Sequence, residues 1–348
     1  MSRILIAGDH FVLNSLLREA LSRHAPDLHE PAELTLPWPV EPFHRIAEVD
    51  EASGDEDQLI DALQGAEICL TQMAPLTERV LRACPELRLF AVTRGGPVNA
   101  NLAAAAAHGV AVTFAPGRNA TATAEHTVGL TLAAVRQIPQ RNAELLAGAW
   151  RSDYYRYNEV GPEISGATVG LIGYGAIGSR VAAILHGFGA RILVFDPFIE
   201  PGTLPPEIEQ ASTLDELLGS ADIVTLHARL TPETTGLIGA RELALMRPGS
   251  ILINAARGAL LDYDALCDAL EAGHLYGTGL DVYPSEPLPV GSRLRSIPSA
   301  VLTPHLAGAS KPTAHKAAEI GAAEVGRYLR GEPLQHCANP EFAHSKVS

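Results

Sequence analysis

Three ionisable residues stand in loops beside short apolar runs: Arg257 in INAARGALLD, Glu286 in DVYPSEPLP and His305 in LTPHLAGAS. Each has an ordinary reading when taken alone. An arginine pairs with an acid, a glutamate between prolines sits in a solvated turn, and a histidine ends a strand. Together they suit the reduction of a 2-keto acid. The carbonyl oxygen gains negative charge as hydride arrives, and it then needs a proton donor and a cation. His305 as imidazolium would give the proton, or take it back in the reverse direction. Glu286 would orient the ring and favour its charged form. Arg257 would hold the substrate carboxylate and polarise the carbonyl.

A glycine motif upstream makes the joint reading sharper. Gly173-Tyr174-Gly175-Ala176-Ile177-Gly178 is a G-x-G-x-x-G that follows the apolar run Val169–Ile172 and opens a helical pattern. Gly173 would permit the tight turn, Gly175 would let backbone approach a pyrophosphate, and Gly178 would pack helix on strand. The helix N-terminus adds N–H donors and a positive dipole end. Asp196 ends the next apolar run, 18 residues beyond Gly178. A carboxylate there accepts from both ribose hydroxyls and repels a 2′-phosphate, so NAD is favoured over NADP.

These residues need a scaffold that brings strand ends together, and the rest of the chain reads as one. Short apolar strands alternate with amphipathic helices, which implies βαβ units and parallel sheets. Strands are expected at Ile4–Ala7, Ala66–Thr71, Leu87–Thr93 and Val110–Phe114, with helices at Ser15–Arg23, Glu78–Ala83 and Asn101–His108. Pro26–Asp50, with five prolines, reads as loop with one edge strand near Leu34–Leu36. A long helix is expected over Ala122–Gln137, capped by Thr121 and stopped by Pro139. A polar, aromatic arm with Trp150, Tyr154, Tyr155 and Tyr157 follows, and a second βα series starts at Thr168. The expected fold class is α/β, with two Rossmann- or flavodoxin-like doubly wound parallel-sheet domains flanking a cleft. The nucleotide domain is placed at 117–306, and the other domain at 1–116 plus 307–348.

Composition bounds the function. The 348 residues carry a formal charge of −14, which argues against nucleic acid and anionic membrane surfaces as partners. No apolar run approaches the ~18 residues of a membrane span, and a soluble, cytoplasmic protein is expected. Cys69, Cys84, Cys267 and Cys337 have no metal-ligand spacing and read as free thiols in a reducing compartment. No metal is expected.

The segments VGLIGYGAIGSRVA, HARLTPETTGLIG, LINAARGALLD, GLDVYPSEP and LTPHLAG resemble those of the D-isomer-specific 2-hydroxyacid dehydrogenases, strongly from Leu87 to Arg330 and weakly before that. The resemblance implies an NAD-dependent enzyme that interconverts a 2-hydroxy acid and its 2-keto acid, with Arg257, Glu286 and His305 as its catalytic set. It implies cofactor contacts at Ala176, Ile177, Asp196, His227, Ala228, Ala255, Ala256 and Gly308, and at Asp281 for the nicotinamide carboxamide. It places a carboxylate-binding backbone loop on Thr93–Pro97. There, Gly95 and Gly96 suit an anion-binding concavity of bare N–H groups. It also implies a homodimer formed through the long helix and the aromatic arm.

Arg94 and Arg118 either hold a phosphate or second carboxylate of the substrate or are ordinary surface arginines. Met73 either lines the substrate pocket or packs the core. Two alternatives stand beside the dehydrogenase reading. One is a 3-phosphoglycerate-type dehydrogenase, whose long form carries a regulatory domain for which 348 residues leave no room. The other is a non-catalytic protein that senses NAD(H).

Overall fold

The protein is described by a computed structural model at residues 3–28, 30–38, 44–157 and 159–342. The chain divides into two compact units, Met1–Asn119 with Ala309–Ser348, and Ala120–Gly308. The divisions after 119 and 308, where the sequence suggested 116 and 306, leave helix Ala120–Arg136 whole in the second unit.

In the first unit the strands are β1 (Ile4–Gly8), β2 (Ala32–Thr35), β3 (His44–Ile46), β4 (Val49–Ala52), β5 (Ile68–Thr71), β6 (Leu89–Val92) and β7 (Ala111–Thr113). The helices are α1 (Asn14–His24), α2 (Glu56–Leu63), α3 (Glu78–Ala83) and α4 (Leu102–Ala107). A parallel sheet runs in the order β2-β1-β5-β6-β7. Side chains alternate across it, as strand geometry dictates. Ile4 and Ile6 pack with Leu17 and Leu21 of α1, whereas Leu5 and Ala7 pack with Leu59 and Leu63 of α2. A parallel sheet covered on both faces is therefore apolar on both faces.

The second unit holds α5 (Ala120–Arg136), α6 (Ile138–Leu146), β8 (Thr168–Ile172), α7 (Gly178–Gly187), β9 (Arg191–Phe195), β10 (Ile208–Gln210), α8 (Leu214–Ser220), β11 (Ile223–Leu226), α9 (Ala240–Leu245), β12 (Ser250–Asn254), α10 (Tyr263–Glu271), β13 (Leu275–Leu280) and β14 (Ala300–Leu302). Its parallel sheet runs β10-β9-β8-β11-β12-β13-β14, so strand order reverses beside β8. One face packs Val169, Ile192 and Ile251 against α5 and α7, and the other packs Val224 and Leu252 against α8 and α10. Helix α11 (Lys311–Leu329) belongs to the first unit and lays Ala314, Ala318 and Val325 on the α1 side of its sheet.

Three expectations need correction. The helix placed at Ala122–Gln137 begins at Ala120, which puts Thr121 inside it and not at its cap. Pro139 does not stop that helix. The chain turns at Gln137, with φ 49°, and Pro139 lies in the first turn of α6. A missing N–H costs nothing there. The proline-rich stretch holds β2 as the edge strand, paired in parallel with β1, and then the antiparallel pair β3–β4. Residues 39–43 of it lie outside the described residues. From the sequence, no element is expected over α2, α6 or β10. Yet Asp55 caps α2 by accepting from the Gln58 N–H at 2.8 Å, and Leu59 and Leu63 form its buried stripe.

Candidate active site

The glycine turn in the second unit has the shape its motif demands. Gly173 has φ 97°, and a Cβ on it would lie 2.7 Å from the His227 carbonyl carbon. A Cβ on Gly178 would collide with the Gly173 oxygen. At Gly175 a Cβ would meet nothing within 4 Å, so backbone is open to a close neighbour there. No side chain caps α7 at Ile177, and the positive end of the helix stands beside Ala176 and this open turn. Asp196 follows β9, and its carboxylate accepts from the Tyr174 N–H at 2.8 Å and the Phe198 N–H at 3.0 Å. An open glycine face, an uncapped helix start and an acid at the next strand end fit a dinucleotide such as NAD.

His227 ends the neighbouring crossing, just before the half-buried Ala228. Burial pushes its imidazole down to about 4, which keeps the ring neutral, and Nε2 lies 3.0 Å from the Thr225 hydroxyl.

Arg257 is exposed, on a turn pinned from beneath. Asn254 ends β12 fully buried. Its Oδ1 accepts from the Ala256 N–H at 3.0 Å, and its Nδ2 donates to the Arg257 carbonyl at 3.0 Å. Ala255, between them, is buried. A Cβ on Gly258 would collide with the Tyr283 carbonyl oxygen, so only glycine lets this turn meet the loop that carries Glu286. The Tyr263 hydroxyl ties the same loop by donating to the Val282 carbonyl at 2.5 Å.

Glu286 and His305 are joined directly. Glu286 Oε2 lies 2.6 Å from His305 Nδ1, and Oε1 accepts from the Tyr283 N–H at 2.9 Å. Burial works to raise the Glu286 carboxyl. The His305 contact, the Tyr283 N–H and the Arg257 charge together outweigh it and hold the group below the usual carboxylate value. With Nδ1 engaged, Nε2 is the ring nitrogen without a hydrogen-bond partner among the described residues.

His305 has φ 48°, a left-handed conformation that costs a non-glycine residue about 1–2 kcal/mol. Fully buried Asp281 holds that turn. Its carboxylate accepts from the Thr303 hydroxyl at 2.6 Å, the Leu306 N–H at 3.0 Å and the Ala307 N–H at 2.8 Å. Three of its roughly four acceptor positions are thus used inside the protein. The Tyr283 hydroxyl donates to the Thr303 carbonyl at 2.9 Å. Gly308, half-buried, follows the turn.

The residues assigned to substrate lie in the first unit. The Arg94 guanidinium donates to the Glu51 carbonyl at 2.8 Å and pairs with the Glu51 carboxylate. Around Gly95 and Gly96 the backbone is open: a Cβ on Gly96 would meet nothing within 4 Å. Met73 is fully buried in the core with α2 and α3, which favours its packing reading over the substrate one. Arg118 lies over the Phe11 ring at 5.9 Å. Burial pushes its guanidinium down to about 10, with Asp9 opposing. Its Nε and Nη1 are buried with no hydrogen-bond partner among the described residues.

Asn254, Tyr263, Tyr283 and Thr303 were missed as supports of the site. The signal for Asn254 was available: a polar residue closing an otherwise apolar strand.

Residues 128–307 match the family model described as D-isomer specific 2-hydroxyacid dehydrogenase, NAD binding domain. The chain is 40% identical over 287 residues to a D-3-phosphoglycerate dehydrogenase of Mycobacterium bovis, covering 82% of this chain and 53% of that protein. It is 34% identical over 289 residues to a glycerate dehydrogenase of Methylorubrum extorquens, covering 81% of this chain and 89% of that one. Among solved structures, the TT0316 protein from Thermus thermophilus matches with a TM-score of 0.78 at 31% identity, over 96% of this chain and 99% of that one. The chain spans about half the length of the D-3-phosphoglycerate dehydrogenases it matches.

Proposed function

Because the chain belongs to the D-isomer specific 2-hydroxyacid dehydrogenases, we propose that it interconverts a 2-hydroxy acid, of the D-isomer, and its 2-keto acid with NAD. The observation that carries this reading is the 2.6 Å contact of Glu286 with His305 Nδ1, within reach of the Arg257 charge. When bound, NAD supplies or accepts the hydride at the substrate's C2. Gly173, Gly175 and Gly178 would hold its pyrophosphate over the α7 N-terminus with Ala176 and Ile177. Asp196 would take the ribose, which favours NAD over NADP.

In reduction, His305 gives its Nε2 proton to the carbonyl oxygen, and Glu286 stabilises the ring that carries it. In oxidation the same nitrogen receives the hydroxyl proton. Arg257 holds the carboxylate and offsets charge on the oxygen.

The names of the curated relatives favour 3-phosphoglycerate as a second substrate reading. We assign the protein to the cytoplasm, with its four free thiols suited to reducing conditions. It would act as a homodimer. Helix α6 buries none of its residues, and Leu146, Trp150, Tyr155 and Tyr157 are 80–95% exposed. Such a patch suits an interface. Among the described residues no helix is long and apolar enough to cross a membrane.

NADH absorbance tests the reading directly. The purified protein would be offered glyoxylate, hydroxypyruvate, pyruvate and 3-phosphohydroxypyruvate. Turnover on at least one is expected, with loss in His305→Ala. Tight NADH binding without turnover on any of them would favour the sensing protein instead.

A further inference from the structure

The left-handed turn at His305 is supported from a helix that the chemistry does not otherwise use. Helix α5 runs across β12 and β13 on one face of the sheet. Two glycines of β13 make a close approach possible. A Cβ on Gly279 would lie 2.9 Å from Ile253 Cδ1 and 3.1 Å from Leu130 Cβ of α5, and a Cβ on Gly277 would lie 3.9 Å from the Ala134 oxygen. Residues two apart share a strand face, so both bare positions open toward the helix.

One turn before Leu130, α5 carries His126. Its Nε2 lies 3.0 Å from Thr303 Oγ1 and 3.6 Å from Asp281 Oδ1. The Thr303 hydroxyl has a single proton. At 2.6 Å from Asp281 Oδ1, that proton points to the carboxylate, an acceptor already taking two backbone N–H groups. The hydroxyl can then only accept from His126. The network therefore assigns the ring proton of His126 to Nε2.

We propose that His126 is a positioning residue: by donating from Nε2 to Thr303, it completes the Thr303–Asp281 network that holds the left-handed turn and aims His305. The chain of contacts is short. His126 fixes the Thr303 hydroxyl, Thr303 and Asp281 share one hydrogen bond, and Asp281 grips the two N–H groups that follow His305. His126 stands just outside residues 128–307, the segment that matches the family's NAD-binding domain.

The proposal rests on the dehydrogenase reading for its kinetic arm but not for its spectroscopic one. The variants are His126→Leu, which removes the donor, and His126→Gln, whose amide restores one. In His126→Leu, kcat for NADH-dependent reduction of hydroxypyruvate or glyoxylate is expected to fall about tenfold, as expected for a slightly misplaced acid. The NADH Kd, read by fluorescence, should stay within about twofold, a shift small on the tenfold scale of 1.4 kcal/mol. His126→Gln should recover most of kcat. Equal losses in both variants, or an equal loss of NADH affinity, would overturn the proposal and leave a packing role.

The second arm needs no substrate. In protein carrying 13C-labelled histidine, the His305 ring signal is identified by its loss in His305→Asn. It should move in His126→Leu and return in His126→Gln. An unmoved His305 signal in His126→Leu would overturn the proposal. If the wild-type protein reduces no keto acid, that failure falls on the proposed function, and the ring signal still decides this inference. Should His126→Leu fail to fold, Thr303→Val removes the acceptor of the His126 bond and the Thr303–Asp281 bond with it, at nearly constant shape; the His305 ring signal should then move, and an unmoved signal would overturn the proposal.

Discussion

The two units share a doubly wound parallel plan but finish their strand ends differently. In the second unit the polar groups beyond the strands satisfy one another. Asn254 pins the Arg257 turn, Asp281 grips the His305 turn, and Glu286 is held by the Tyr283 N–H and by His305. In the first unit the corresponding ends keep buried polar atoms with no partner among the described residues: Asp9 Oδ2 after β1, Gln72 Oε1 after β5, Thr93 Oγ1 after β6, and Arg118 Nε and Nη1 beyond β7. An unpaired buried polar group costs about 1–3 kcal/mol. The second unit thus uses its polar groups to preorganise charge, which suits chemistry. The first leaves several such atoms unsatisfied among the described residues, which suits recognition of something that brings donors and acceptors.

The contrast breaks most sharply at Glu286. Glu286→Gln keeps the shape but removes the charge beside His305, and keto-acid reduction should fall about 10²-fold. Steady-state kinetics with NADH would check this; an unchanged kcat would mean that the pair is structural. Next in size is Asp281→Ala, which strands two backbone N–H groups and the Thr303 hydroxyl. It should cost about 3 kcal/mol in urea unfolding. A cost under about 0.5 kcal/mol, the level of ordinary surface changes, would show that the turn holds itself.

A third effect follows from His227. Its folded value of about 4 lies below the ordinary 6.5, so the unfolded chain binds the extra proton between those limits. Stability is complete above pH 6.5 and should fall by up to about 3 kcal/mol as pH drops to 4. The difference between wild type and His227→Gln, followed through that window, isolates this contribution; parallel curves would contradict it. The smallest effect is expected in the first unit. Arg118→Met removes a largely buried guanidinium whose Nε and Nη1 have no hydrogen-bond partner among the described residues, and should stabilise the fold by about 1 kcal/mol. At the same time it should raise the KM of the keto acid. Added stability with an unchanged KM would remove Arg118 from substrate recognition.

The legible part of the site was the part that local chemistry demands. A tight βα turn needs glycine at Gly173 and Gly178, and strand ends display Arg257, Glu286 and His305, so residue type and position sufficed. The supports were illegible because they act across long separations in the chain. His126 meets Thr303, and Tyr263 meets Val282, only once the sheet has formed. Arg94 likewise looked available until the fold brought Glu51 to it. Helix α2 was a different kind of miss, since Asp55, Leu59 and Leu63 carried its cap and its stripe. The break at Gln137 depends on a left-handed residue for which no glycine gave warning.

The central claim is hydride transfer to C2 with His305 as the proton donor. It is tested most directly by running the reduction with NADH deuterated at both C4 positions and weighing the product. The account predicts a 2-hydroxy acid that carries one deuterium at C2, formed by the wild-type protein and about 10²–10⁴-fold more slowly by His305→Ala. An unlabelled product, or an equal rate in the variant, would contradict it.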